Sequence, residues 1–238
     1  MSRPLFLATI RWWLASPIRL GVLAAAALLP VLGSVLSQGR LPSAGGASEL
    51  ALILGAGIIG QSVSTGTLQL VLARPIRRST FVLTRWLAVG SAALAIFGAC
   101  TVAAWLLGSA SGMETQTPGD VALLLAEAAL HAFGTAAVLV ALSALVRGYG
   151  DIAIWIVGTI LALLASEVGQ VKDVATLRWA GRQTLEFLRP SVDLRQVLGA
   201  RPVPLSGLAA WAFTVTLCLA VAIVLLNRKE LSYASSGA

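Results

Sequence analysis

Long apolar stretches with almost no charge dominate the sequence, and they leave few folds open to it. Of the 238 residues, 58% are hydrophobic and only 11% are charged, and the mean hydropathy is +0.88. A soluble domain carries roughly 25% charged residues, so this chain has too few charges to cover a globule in water. Only helices and closed barrels satisfy their backbone hydrogen bonds in lipid. Because the apolar stretches are rich in Ala, Leu and Val and do not alternate with polar residues, we predict an all-α integral membrane protein.

Six stretches approach the length of about 20 apolar residues that a helix needs to cross a bilayer. They predict transmembrane helices at about 18–38, 48–65, 82–108, 121–145, 152–169 and 206–226. Before the first span, the apolar residues of 4–16 share one helical face, which predicts an N-terminal helix lying on the membrane surface. A cleavable signal peptide is disfavoured because this region is long and aromatic and five more spans follow. Since no linker or repeat divides the sequence, residues 1–238 are predicted to form a single transmembrane domain.

The distribution of Lys and Arg predicts that both termini lie in the cytoplasm. Basic residues precede the first span, follow the second and fourth spans, and occur in the tail, at Arg3, Arg11, Arg19, Arg74, Arg77, Arg78, Arg85, Arg147, Arg228 and Lys229. The first loop on the opposite side holds only Arg40, and the third loop holds no basic residue. Trp86 and Trp105 are also separated by about 28 Å of helix, the distance between two interfacial aromatic belts.

The loop at 170–205 is basic and opposes this topology, because parity places it on the extracytoplasmic side. Longer loops weigh less in the charge rule, so the N-in, C-in assignment is kept. Within this loop, apolar or small residues repeat at helical spacing, at Val174, Leu177, Gly181, Leu185 and Leu188, and Pro190 follows. The repeat predicts an amphipathic helix that rests on the outer leaflet or on neighbouring spans.

The segment between the second and third predicted spans combines a glycine break, a short amphipathic stretch and a basic exit. The apolar run breaks at Gly66, and residues 67–73 are amphipathic. Arg74-Pro75 then ends the helix, and two arginines precede the next span. The pattern predicts a short cytoplasmic helix across the membrane surface. Such a helix either docks into a groove on a cytoplasmic partner or only fixes the topology, and the residues alone leave both interpretations open.

The same segment carries a recognisable motif. Its residues are Gly66, Thr67, Leu68, Leu70, Leu72, Arg74, Pro75, Ile76, Arg77 and Arg78, followed by Val82 and Leu83. This order resembles the signature of type-2 ATP-binding-cassette (ABC) exporter permeases, in which GTL and a leucine run precede R-P-[VI]-x-R. In that family the segment lies at the coupling helix that engages the ATPase subunit, so the resemblance implies that residues 66–78 dock on an ATPase. The acidic residues that family members carry before GTL are replaced here by Gln61, Ser62 and Ser64.

The resemblance implies a permease subunit of an exporter in the bacterial cytoplasmic (inner) membrane, with two ATPase subunits and a second permease copy or homologue as partners. The chain itself is not expected to be an enzyme, because a P-loop needs Lys between Gly and Ser or Thr. Its only lysines, Lys172 and Lys229, precede Asp173 and Glu230. ATP and Mg²⁺ are therefore expected in the partner, and no cofactor is expected in this chain. The alternative is a membrane scaffold or assembly subunit of an ATPase-linked machine that moves no substrate.

Glu127 and His131 lie four residues apart on the fourth predicted span. Ionisable groups within a span are costly and suggest function, here a relay or a substrate contact. The alternatives are a Glu–His hydrogen bond that locks the helix against a neighbour, or a protonated Glu. His131 is the only histidine, and Cys100 and Cys218 lie in apolar runs, so neither a metal site nor a disulfide is predicted. Nucleic acid is not an expected partner, because the positive charges lie mostly in loops beside spans.

Overall fold

The computed structural model describes residues 41–60, 77–112, 116–146, 148–199 and 205–235, together with the single positions 6, 21, 24, 25 and 28. All regular secondary structure in this part of the chain is helical, which confirms the all-α class. The helices are α1 (Gly46–Gly55), α2 (Arg78–Ala110), α3 (Pro118–Leu145), α4 (Gly150–Val171), α5 (Ala175–Leu188), α6 (Leu194–Gly199) and α7 (Ser206–Ser235). Apart from the single positions, the predicted surface helix at 4–16 and first span at 18–38 lie outside the described residues.

Four of the described helices are long and apolar enough to cross a membrane, namely α2, α3, α4 and the 206–228 part of α7. They coincide with the third to sixth predicted spans. The start of α3 differs from the prediction by three residues, because Thr117 and Asp120 form a capping box around Pro118. Each of these two side chains accepts a hydrogen bond from the other residue's backbone N–H, so the helix begins in a polar turn before its apolar run.

The second predicted span, 48–65, is not one continuous helix. Helix α1 ends after ten residues, which is about 15 Å at 1.5 Å per residue and only half of a hydrocarbon core. The chain then turns over residues 56–59. Gly57 adopts a φ of +64° in this turn, a left-handed conformation that glycine reaches without steric cost. Apolar length alone therefore overestimated this helix.

Helix α3 lies at the centre of the bundle and contacts every other helix in the described region. Its buried face consists largely of small residues, among them Ala128, Ala132, Ala136 and Ala144. Small side chains let helices approach closely, which matters in lipid because no hydrophobic force drives spans together. The apolar core of the protein lies along this face of α3, against α1, α2 and α7.

Three tryptophans tie neighbouring elements together through their indole N–H groups. Trp86 of α2 donates to the carbonyl of Phe133 at 2.9 Å and packs edge-on against its ring. Trp211 of α7 donates to the carbonyl of Leu130 at 3.0 Å. Trp155 of α4 donates to the carbonyl of Leu188 at the end of α5 at 3.1 Å. These bonds lie within the bundle, an arrangement that the interfacial-belt interpretation of Trp86 did not predict.

The predicted amphipathic helix of the 170–205 loop is present as α5, and it folds back along α4. Asp173 makes the turn between the two helices with a φ of +50°, and the N–H of Val174 caps α4 through the carbonyl of Gly169. The contacts then run antiparallel, with Gly169 against Arg178 and Gly181 against Ala162. Of the two predicted resting places, the structure therefore places this helix on a neighbouring span.

After α5 the chain turns at the middle of α3 and runs back towards the start of that helix. The carbonyl of Pro190 lies against Gly134, the N–H of Leu194 bonds Glu127, and Arg195 pairs with Asp120. Residues 172–199 thus form a hairpin, called the return hairpin below. Its first arm packs along α4, and its second arm packs along α3. Its tip reaches roughly half the length of α3, because Gly134 lies about 24 Å along this helix from Pro118.

The close packing of Gly181 in the return hairpin predicts that adding a single methyl group at this position destabilises the protein. A Cβ at Gly181 would lie 2.6 Å from the carbonyl oxygen of Ala162, so Gly181→Ala should lower the free energy of unfolding by about 1–3 kcal/mol through overpacking. Thermal unfolding of the purified protein in detergent measures this loss. The matched control is Gly98→Ala in α2, where the nearest atom would be at an ordinary 3.6 Å. An equal effect of both substitutions would contradict the close packing of α4 and α5.

Candidate functional site

The predicted docking segment lies largely outside the described residues, which resume at Arg77. Nothing structural is therefore stated for Gly66, Thr67, Leu68, Leu70, Leu72, Arg74 or Pro75. Arg77 is exposed and precedes α2. Arg78 is the first residue of α2, and its Nη1 donates to the carbonyl and the Oδ1 of Asn227, both at 3.3 Å. This contact places the start of α2, which follows the predicted docking segment, beside Asn227 of α7.

A buried carboxylate lies at the same end of the bundle, in the corner between α3 and α4. Asp151 is completely buried, and its Oδ2 accepts a hydrogen bond from the N–H of Gly57 at 2.8 Å. Its Oδ1 accepts a second bond from the N–H of Ile152 at 2.9 Å. A buried charge is tolerated only when hydrogen bonds compensate it. Here the compensation comes from the backbone of the turn that follows α1.

Ser143 holds the same turn from the side of α3. Its Oγ accepts hydrogen bonds from the N–H groups of Ile59 at 3.0 Å and of Gly60 at 2.9 Å. The carbonyl of Gly60 in turn accepts from the N–H of Gly148 at 3.0 Å, and a Cβ on Gly60 would overlap the carbonyl of Gly148. Ser143, Asp151 and the turn at 57–60 therefore form one connected set of hydrogen bonds, called the turn anchor below.

The turn anchor determines where the chain enters the predicted docking segment. Its last described residue is Gly60, only six positions before the motif begins at Gly66. Sequence reasoning missed Asp151 because it lies one residue outside the predicted fifth span. Two features of the sequence could have indicated this contact. One is a single acidic residue at the start of an apolar run, and the other is the set of glycines at 55, 57 and 60.

Glu127 and His131 do not form the predicted pair with each other in the structure. The Oε1 of Glu127 accepts hydrogen bonds from the N–H groups of Leu194 at 3.0 Å and Arg195 at 3.3 Å. It therefore caps the start of α6 in the return hairpin. The Nδ1 of His131 shares a hydrogen bond of 3.3 Å with the Oγ of Ser48 on α1. Both residues thus connect neighbouring elements to α3, but through separate partners and not through the Glu–His hydrogen bond of the locking alternative.

His131 also lines an open cavity of about 370 Å³ between α1, α3, α4 and the return hairpin. The lining is mixed, with polar groups beside leucines, and comprises Gly45, Ser48, His131, Thr159, Leu163, Leu185, Glu186, Arg189 and Ser191. Two of its polar atoms are buried without a hydrogen-bond partner, namely Oγ1 of Thr159 and Nε of Arg189. Sequence reasoning missed this cavity because its lining residues are separated by up to 146 positions, from Gly45 to Ser191.

Within the described residues, no group of three His, Cys, Asp or Glu side chains could hold a metal ion, and Cys100 and Cys218 are free thiols. Compared with known proteins, the chain matches no family model and no curated sequence. The function is therefore inferred from the residues and their geometry.

The turn anchor predicts that removing the Asp151 carboxylate destabilises the protein. Asp151→Ala should lower the free energy of unfolding by about 2–4 kcal/mol, because it leaves the buried N–H of Gly57 without an acceptor. Asp151→Asn keeps one acceptor oxygen and should cost less. Thermal unfolding in detergent measures both. The control is Asp173→Asn, since the Asp173 side chain is 94% exposed; a loss at position 173 as large as at position 151 would contradict the anchor.

The hydrogen bonds that Glu127 accepts at the start of α6 predict that removing its carboxylate destabilises this part of the return hairpin alone. In Glu127→Ala the N–H groups of Leu194 and Arg195 lose their acceptor, so their hydrogen exchange should accelerate by about tenfold while α2 and α7 remain protected. Hydrogen–deuterium exchange with mass spectrometry of peptides from the return hairpin measures this change. Glu167→Ala, at an exposed position of α4, serves as the control. Unchanged exchange around 194–195 in Glu127→Ala would show that Glu127 does not hold the hairpin.

Proposed function

We propose that this chain is the transmembrane permease subunit of an ABC exporter, which couples ATP hydrolysis in a separate ATPase subunit to movement of a substrate across the membrane. The observation that carries the proposal is the Gly66–Arg78 motif, which resembles the coupling segment of type-2 exporter permeases and joins the apolar helices of the bundle. The four described spans support a multi-pass membrane protein. Two further membrane crossings belong to the proposal, one at 18–38 and one at 48–65, the second interrupted by the turn at 56–59.

The turn anchor supports a mechanical role for this segment. A docking element transmits force only when both of its ends are attached to the helices that must move. The chain before the motif is attached to the α3–α4 corner through Asp151 and Ser143. The chain after the motif continues into α2, whose first residue bonds Asn227 of α7. A push on the motif would therefore reach α2, α3, α4 and α7 together.

The return hairpin supports a water-filled path beside the bundle. Arg182, Gln183 and Glu186 of α5 are exposed, and they lie beside the part of α4 that is proposed to cross the bilayer. Charged groups are very costly against lipid, so this surface borders water or a second copy of the chain. A cavity of about 570 Å³ between the hairpin and α7 continues this polar surface, with Glu186, Asp193 and Thr214 in its lining.

The proposed complex contains two permease chains, as a homodimer or with a homologue, and two ATPase subunits that bind ATP and Mg²⁺. Both termini and the docking segment face the cytoplasm of a bacterium, and the return hairpin enters from the opposite side of the inner membrane. Under this topology the Arg78 end of the bundle carries the ATPase, and the end at Asp120 faces outward.

Reversing the charge of the docking segment tests the proposal. Arg74→Glu with Arg77→Glu should reduce both recovery of the ATPase with the purified permease and ATP turnover of the complex by about tenfold or more, because charge repulsion replaces attraction at the contact. The ATPase encoded beside the permease gene is the binding partner for the pull-down, and turnover is measured in liposomes. Arg182→Glu, on the exposed face of α5, is the matched control.

Unchanged recovery and unchanged turnover in the double variant would overturn the docking assignment. If the ATPase binds through this segment but no candidate substrate changes its turnover in liposomes, the scaffold or assembly alternative replaces export. The two measurements therefore separate a wrong docking surface from a wrong function.

A further inference from the structure

The cavity beside His131 lies near mid-height of the proposed membrane region. His131 is 13 residues from the start of α3 and 14 from its end, or about 20 Å from each. Thr159 occupies a similarly central place in α4. Polar cavities at this depth are rare in membrane proteins and mark binding sites for substrates or ions. The volume of about 370 Å³ also falls within the range of about 300–1,000 Å³ found for ligand pockets.

Arg189 supplies the positive charge of this cavity. Its guanidinium lies 4.7 Å above the centre of the Trp155 ring, an arrangement that holds the group in a fixed plane. Its Nε is buried without a hydrogen-bond acceptor. Among the described residues, the ion pairs involve Arg178 and Arg195 and not Arg189. The nearby carboxylate of Glu186 accepts instead from Gln183 at 3.1 Å. Arg189 therefore brings a cationic group with an unpaired Nε–H to the lining of the cavity.

Thr159 provides a second unused polar group, one helical turn from Trp155 on α4. The residue is only 7% exposed, and its Oγ1 has no hydrogen-bond partner. Ser191, the Ser48–His131 pair and Glu186, whose carboxylate is bonded to Gln183, complete the polar part of the lining. A buried polar atom without a hydrogen-bond partner destabilises the protein. Two such atoms that line one cavity indicate a ligand that accepts hydrogen bonds there.

The apolar residues of the lining indicate that the rest of the ligand is apolar. Leu163 and Leu185 border the cavity, and Leu163 is 48% exposed on the outer face of α4. The neighbouring residues Ile160 and Leu164 are also about half exposed. A group bound at Arg189 can therefore continue outward beside Leu163 onto an apolar surface that lipid chains cover.

We propose that this cavity binds the oxyanion head of an anionic amphiphile, a carboxylate or phosphate that carries an alkyl chain. The guanidinium of Arg189 binds the oxyanion, which suits its fork of donors, and the hydroxyl of Thr159 donates a further hydrogen bond. The alkyl chain lies along α4 past Leu163. This site does not depend on the proposed coupling to an ATPase, since every lining residue belongs to this chain.

Equilibrium binding to the purified full-length chain in non-ionic detergent, without any ATPase, tests the site. Radiolabelled palmitate and hexadecyl phosphate represent the two possible heads, and hexadecanol and inorganic phosphate are the competitors. At least one of the two amphiphiles should bind saturably, whereas both competitors should bind at least about tenfold more weakly. Arg189→Gln should weaken amphiphile binding by about tenfold or more, and Thr159→Val by about fivefold. Arg182→Gln, at an exposed arginine of α5, should leave binding unchanged.

Three outcomes would overturn the proposal. Equal binding of hexadecanol would show that the head is not recognised, and equal binding of inorganic phosphate would show a site for free anions. Equal losses in Arg189→Gln and Arg182→Gln would show that binding is not at this cavity. If size-exclusion chromatography shows that Arg189→Gln does not fold, Arg189→Lys and Thr159→Val are measured instead. The proposal then requires that Thr159→Val binds the amphiphile more weakly and that Arg189→Lys retains binding within about tenfold.

Discussion

Close approach of helices along α3 is the constraint on which the rest of the structure depends. In lipid, spans associate through van der Waals packing and interhelical hydrogen bonds, so the small residues of α3 allow its neighbours to come into contact. About two thirds of its apolar core segment is buried, against 22% for α4 and α7. The same property lets the tip of the return hairpin reach Gly134, where any larger residue would collide with the carbonyl of Pro190.

Polar groups buried in this packing fall into two kinds, and the difference bears on function. At the turn anchor, Asp151 and Ser143 are fully engaged with backbone N–H groups, and the result is a rigid attachment. At the central cavity, Thr159 and Arg189 keep unpaired atoms. A satisfied buried network stabilises one arrangement, whereas an unsatisfied one favours a ligand. The first therefore suits transmission of force from a docking segment, and the second suits binding within the membrane region.

Much of the fold follows from local patterns. Apolar length predicted α2, α3, α4 and α7 within a few residues, because a membrane span needs a set number of apolar residues whatever its neighbours are. Helical periodicity predicted α5 in the same way. The second span was different, since three glycines allowed a turn inside an apolar run, and hydrogen bonds to Asp151, Ser143 and Gly148 stabilise that turn. The candidate sites depend on such long-range contacts, so Glu127 and His131 were noticed but their partners Leu194 and Ser48 were not.

The sequence by itself determined that this is a multi-pass helical membrane protein, because its composition cannot cover a soluble surface, and it supplied the motif on which the proposed function is based. Tertiary structure alone decided that residues 172–199 fold back between α4 and α3, that Glu127 and His131 bind different elements, and that Arg189 and Thr159 face one cavity. These facts depend on which carbonyls, glycines and hydroxyls meet between elements that are far apart in the sequence, by up to 83 positions for Ser48 and His131. Neither hydropathy nor periodicity carries that information, since both describe only neighbours along the chain.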